Sequence, residues 1–96
     1  MTPDDFFRKI SAHRHELASA GVRRLGVYGS VARGEANPDS DVDVLIELDH
    51  TPDLFEFVAL RERLAEILGC PVDLATPQGL IPKLRDRILH EVRYAA

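Results

Sequence analysis

The spacing of apolar residues changes period several times along the chain, and each change predicts an element. Phe6, Ile10, Leu17 and Ala20 recur at helical spacing. Thr2, Pro3 and Asp5 supply a hydroxyl cap, a first-turn proline and an acid three residues after the cap, and Gly21 is placed to end one continuous helix. From Val22 to Tyr28 the period becomes two, which predicts a strand with Leu25 and Val27 facing the core and Tyr28 on the other face. Gly29-Ser30 then reads as a tight turn into one helical turn, and residues 34–40 are too dense in turn formers to sustain a helix or strand. Strict alternation resumes from Asp41 to Leu48, with Val42, Val44, Ile46 and Leu48 on one face.

Thr51-Pro52-Asp53 repeats the helix-start pattern before an apolar stripe of Leu54, Phe57, Val58, Leu64, Ile67 and Leu68, closed by Gly69. Arg61, Glu62, Arg63 and Glu66 are its wet face. Pro71–Ala75 is a short third strand and Thr76–Gly79 a turn. Pro82 suits the first turn of a final helix that carries Leu84, Ile88, Leu89 and Val92 inward. The expected fold class is α/β: a small mixed β-sheet with flanking helices, in the order helix, strand, short helix, strand, helix, strand, helix.

Composition narrows the class without choosing a function. Ninety-six residues suit a single domain, 1–96, with a modest core. A net charge of −4 argues against a general nucleic-acid binder, so direct contact with nucleic acid is not expected. The local exception is the final helix, where Lys83, Arg85, Arg87, His90 and Arg93 leave a basic outer face: usually a matter of solubility and helix dipole, alternatively the seat of an acidic partner or a triphosphate. Cys70 is the single cysteine, best read as a small buried residue, and no intrachain disulfide is possible, which points to a reducing cytoplasm. No apolar run approaches the ~20 residues that span a bilayer, and the acidic start Met1-Thr2-Pro3-Asp4-Asp5 does not lead a signal sequence. His13 and His15 have no partner at ligand spacing and are read as structural or surface residues, and His90-Glu91 lacks the second histidine of a metalloprotease motif, Tyr94 standing in its place.

The candidate chemistry lies between Val27 and Ile46. Asp41 and Asp43 are two residues apart in a strand and therefore share a face. At 4 Å two like charges repel by ~1 kcal/mol in water and ~4 kcal/mol at an effective dielectric near 20. A fold relieves this with a proton, a basic side chain or a divalent cation, and hard oxygen ligands on a rigid strand suit Mg²⁺. Just upstream, Gly29 and Ser30 offer a close-approach backbone, a hydroxyl and the free N–H groups of a helix start, and Arg33 offers a charge-assisted contact: the parts of a phosphate cradle. Such a cradle beside a metal-binding carboxylate pair is apparatus for nucleotidyl or phosphoryl transfer.

Gly29-Ser30-Val31-Ala32-Arg33-Gly34 followed by Asp41-Val42-Asp43 resembles the signature of the polymerase-β-type nucleotidyltransferase superfamily, and the length of the chain most resembles its minimal nucleotidyltransferase (MNT) antitoxins. The resemblance implies a polymerase-β palm-like core that holds two Mg²⁺ ions and moves AMP from ATP. Asp73 sits between Val72 and Leu74; alone it reads as an edge-strand polar residue facing water, but the unpaired Asp41 and Asp43, and a third carboxylate typical of the resembled family, favour a place in the site. On this reading Asp41, Asp43 and Asp73 are the catalytic and metal-binding residues, and Gly29, Ser30 and Arg33 hold the nucleotide. The resemblance further implies a partner, an all-helical HEPN ribonuclease toxin, whose tyrosine accepts the AMP within a hetero-oligomer. Two other readings stay open: an antitoxin that neutralises by binding alone, and a small-molecule nucleotidyltransferase, disfavoured because so short a chain has little room for a second substrate pocket.

Overall fold

The computed structural model describes residues 1–95. Two helices open the chain, α1 (Pro3–Ser11) and α2 (Arg14–Ser19), followed by β1 (Val22–Tyr28), the one-turn α3 (Gly29–Ala32), β2 (Val42–Leu48), α4 (Leu54–Leu68), β3 (Val72–Ala75), a 3₁₀ turn (Pro77–Gly79), α5 (Pro82–Glu91) and β4 (Arg93–Tyr94). The strands form one mixed sheet in the order β3-β2-β1-β4: β2 and β4 run antiparallel to β1, and β3 runs parallel to β2. The α/β layout with a small mixed sheet is therefore the one expected, the strands from their alternation and the mixed sheet from the resemblance to the polymerase-β palm.

Local chemistry accounts for most element ends. Thr2 caps α1 through a reciprocal capping box with Asp5. The Asp53 side chain accepts from the Glu56 N–H at the start of α4, and Gly69 ends that helix at φ 75°, a left-handed conformation that favours glycine. In the loop before β2, Asn37 Oδ1 accepts from the Asp39 N–H and Ser40 Oγ accepts from the Asn37 N–H. These bonds fix the approach to Asp41, as turn-forming side chains do.

One sheet face carries the core. Leu25, Val27, Val42, Val44, Ile46, Val72 and Leu74 pack there against Phe6 and Ile10 of α1, Leu17 of α2, and Leu60, Leu64, Ile67 and Leu68 of α4. Leu64 is fully buried. Leu64→Ala should destabilise the fold by about 3 kcal/mol, through lost transfer energy and a cavity that neighbours fill only partly. Urea unfolding followed by circular dichroism would check this.

Several expectations need correction. The single N-terminal helix is two, broken at Ala12–His13, where His13 leaves helical geometry at ψ 18°. The break turns Leu17, as well as Phe6 and Ile10, into the core. β2 begins at Val42, so Asp41 lies in the loop just before it. Leu54, expected on the buried stripe of α4, is 73% exposed because it opens the first turn beyond the packed part of the helix. Cys70 is half-buried. The inward stripe of the last helix is not core either: no residue of α5 is buried, and Leu84 and Leu89 are 42% and 37% exposed. That helix stands away from the core face and walls the opposite side of the sheet. β4 was not expected at all; its two residues pair with Gly26 and Val27 on the free edge of β1.

Candidate active site

Strand register builds the site. Tyr28, at the end of β1, pairs with Asp43 in β2, and Asp43 pairs with Asp73 in β3. Directly paired residues share a face, so these three side chains stand in a row across the sheet, on the side away from the core. The row is aligned by the Val42 N–H, which donates to the Pro71 carbonyl at 3.0 Å and fixes the start of β2 against that of β3. Asp41 is exposed, two residues before Asp43.

The electrostatics of the row show what it lacks. Burial pushes the Asp43 carboxyl above its ordinary value of 3.8, repulsion from Asp73 and Asp41 pushes it further, and Arg33 pulls weakly the other way. Burial, then Asp43, Asp73 and Glu91, push the Tyr28 phenol up to about 12, so it stays protonated at neutral pH and able to donate a hydrogen bond. Among the described residues, none of Asp41, Asp43 and Asp73 has a basic partner within ion-pair distance. Nor do three acids, histidines or cysteines among those residues close into a ready-made metal cage. Hard carboxylate oxygens gathered without counter-charge suit Mg²⁺, which takes one or two carboxylates and completes its shell with water and substrate phosphate oxygens.

Beside the row lies the Gly29-Ser30 turn. Gly29 has φ 69°, and a Cβ built on it would fall 2.2 Å from Asp43 Oδ2. Only glycine lets the backbone come this close to the carboxylate. Tyr28, at the N-cap of α3, offers no side-chain cap, and the first-turn amides are thereby left available to an anion. Ser30 is half-buried and lines a cleft of about 290 Å³ together with Asp43, Arg33, Arg87 and Glu91. A second cleft of about 620 Å³ runs on past Asp73, with Phe57, Leu80 and Ile81 on its apolar side. Tyr28, Asp43, Leu84 and Ile88 line both, so the two are halves of one groove roofed by α5. Another cavity, of about 640 Å³, lies at the far end of β2 around His50 and Pro52, away from the acids.

Five of the six residues singled out in the sequence line one groove; Asp41 lines neither half and acts on it only through repulsion of Asp43, and Arg33 is not free. Its Nε donates to Glu35 Oε2 at 3.0 Å and its Nη1 to Glu91 Oε1. Glu91 was missed because it was weighed only as part of a metalloprotease motif. A signal existed: Leu84, Arg87, Ile88 and Glu91 recur at i, i+3, i+4 and i+7, one face of the last helix. Tyr28, placed by the alternation of β1 on the face away from the core, is brought to the groove by its pairing with Asp43.

Comparison with known proteins follows the same lines. The sequence profile of the nucleotidyltransferase domain family matches residues 8–95. Protein adenylyltransferase MntA of Thermococcus cleftensis is 40% identical over 95 residues, covering 98% of this chain and 96% of its own. A solved minimal nucleotidyltransferase superposes with a TM-score of 0.80 at 35% identity, over 97% of this chain and 95% of that one. A chain of the complex between a tri-AMPylated Shewanella oneidensis HEPN toxin and its MNT antitoxin superposes with a TM-score of 0.66 at 17% identity, over 91% of this chain and 68% of that one, a likeness of fold.

Proposed function

Since the chain belongs to the nucleotidyltransferase domain family, as a minimal nucleotidyltransferase, we propose that it is the antitoxin of a toxin–antitoxin pair and transfers AMP from ATP to a tyrosine hydroxyl of a HEPN toxin in the cytoplasm. The observation that carries this reading is the row Tyr28–Asp43–Asp73, with Asp41 beside it, set against the Gly29-Ser30 turn: acids without counter-charge next to amides without a cap. The name of the Thermococcus relative supports transfer of an adenylyl group to protein, and the AMPylated toxin bound to an MNT antitoxin supports the kind of partner.

Asp41 and Asp43, with Asp73 beside them, are the residues that would hold two Mg²⁺ ions, which when bound supply Lewis-acid polarisation of the phosphate and a lowered pKa for the attacking hydroxyl. The chain's own residues position the rest. The amides at Gly29 and Ser30 and the Ser30 hydroxyl hold the β- and γ-phosphates, which places pyrophosphate to leave in line with the incoming oxygen. Arg33, whose guanidinium is held by Glu35 and Glu91, borders the same cleft. The tyrosine oxygen forms a bond to the α-phosphorus, the bond from that phosphorus to the bridging oxygen breaks, and Asp73 takes the hydroxyl proton at its carboxylate.

Co-expression with a HEPN toxin, followed by incubation of the purified pair with ATP and Mg²⁺, tests the proposal. Intact mass spectrometry should show the toxin heavier by whole AMP units. An unchanged toxin mass, with toxin activity still suppressed, would favour neutralisation by binding alone.

A further inference from the structure

The groove is short of positive charge for the substrate it is proposed to take. Three acids line it, Asp43, Asp73 and Glu91, and Asp41 lies close enough to repel Asp43, while the nucleotide brings a highly charged triphosphate. Arg33 does little to balance this. Glu35 and Glu91 hold its guanidinium on two edges, and the three side chains together carry a net negative charge. Glu91 is committed to that contact: its side chain is 16% exposed. One cation on the wall of the Ser30 cleft makes no ion pair among the described residues, and it is Arg87.

Its place in the fold suits a phosphate. Arg87 stands one helical turn before Glu91 on α5, across the cleft from the Gly29-Ser30 turn, so an anion between them is gripped by backbone amides on one side and a guanidinium fork on the other. No residue of α5 is buried, so packing alone does not fix this helix over the groove. The pairing of β4 with β1 anchors the chain just after the helix, and the contact from Arg33 to Glu91 joins the end of α5 to the end of α3 and adds to that fixing.

We infer that Arg87 is the cation that receives the outer phosphates of the nucleotide, with Arg33 and Glu91 acting as the clasp that holds α5 in place for it. The inference rests on the nucleotidyl-transfer reading above and adds to it a binding residue from the last helix and a positioning role for Glu91. The sequence had left the basic face of this helix open between solubility and a triphosphate seat; the cleft separates Arg87 from Lys83, Arg85 and Arg93, which do not line it.

The test is binding, read by calorimetry on the full chain with Mg²⁺. The probes are AMP and an ATP analogue with a methylene group between its α- and β-phosphates, which cannot be transferred. Arg87→Gln should bind the analogue about ten-fold more weakly, the loss of one charged hydrogen-bonded contact, and change AMP affinity by less than about two-fold. Arg87→Lys should recover part of the difference, as a point charge replaces the fork. Equal affinity of Arg87→Gln and wild type for the analogue overturns the assignment, as does an equal loss for AMP and the analogue. Glu91→Gln separates clasp from charge: removing an acid near a bound anion tightens binding if only charge matters, whereas losing the clasp weakens it. Weaker binding supports the positioning role, and tighter binding overturns it. A wild-type chain that binds neither probe sinks the nucleotidyl-transfer reading itself, a result distinct from any failure confined to the variants.

Discussion

Asp43→Asn should lower AMP transfer by about a hundred- to a thousand-fold, the scale on which removing a single group that manages developing charge acts. The change is isosteric and removes the central carboxylate of the row, the one paired with both Tyr28 and Asp73. The effect on the fold has the opposite sign. The carboxyl of folded Asp43 lies above its ordinary value of 3.8, pushed there by burial and then by Asp73 and Asp41. The folded state therefore binds that proton more tightly than the unfolded chain. The associated stability is present below the ordinary value and is lost as pH rises through the raised folded one. At neutral pH the group is charged and opposes folding, so Asp43→Asn should melt at the same temperature as wild type or higher. In transfer assays protons and Mg²⁺ compete for this carboxylate, so activity lost on acidification should be recovered in part as Mg²⁺ is raised. Thermal melts and a pH–rate profile on the same preparations check both halves, and an inactive variant that also melts much lower would mean Asp43 serves the fold instead.

Gly29→Ala should be nearly as damaging, by a different route. An alanine at φ 69° pays about 1–2 kcal/mol in backbone strain alone. Its methyl would also sit 2.2 Å from Asp43 Oδ2, so either the carboxylate or the turn must move. Displacing a reacting group by about 1 Å can lower rate about a hundred-fold, and that is the loss expected. Gly34 is the internal control. It too has a left-handed backbone, φ 73°, but a Cβ there meets nothing within 4 Å. Gly34→Ala should show the strain, a similar loss of stability, with transfer close to wild type. If the two alanine variants lose activity equally, the close approach of Gly29 to Asp43 is not what the turn is for.

The parts of this fold that were legible in the sequence are those that signal locally. Alternation at Val42, Val44, Ile46 and Leu48 gave β2 its inner face, and the caps at Thr2 and Gly69 gave two helix ends. The place of Asp73 was legible because an acid between two aliphatics in a short strand asks for a polar face, and because the chain resembles a family with a third carboxylate. What was not legible depends on packing between distant segments. A two-residue strand such as β4 has no period to read, and it exists because Gly26 leaves room: a Cβ on Gly26 would fall 2.9 Å from the Arg93 carbonyl oxygen. The break between α1 and α2 answers to the position of the sheet beneath, which keeps Leu17 buried. The inward stripe assigned to α5 had the right period and the wrong destination, since apolar spacing states that one face is covered but not by what. Glu91 was out of reach for the same reason, its partner Arg33 lying on an element that only folding brings near.

The packing of Phe6, Leu64 and their neighbours lies wholly behind the sheet, and the carboxylates stand in front of it. Shape and chemistry are therefore inherited on separate residues. A descendant that lost an acid by one base change would keep its outline, and with it whatever surface a partner had learned to grip, so a lineage of silent binders lies a single step away from every active copy.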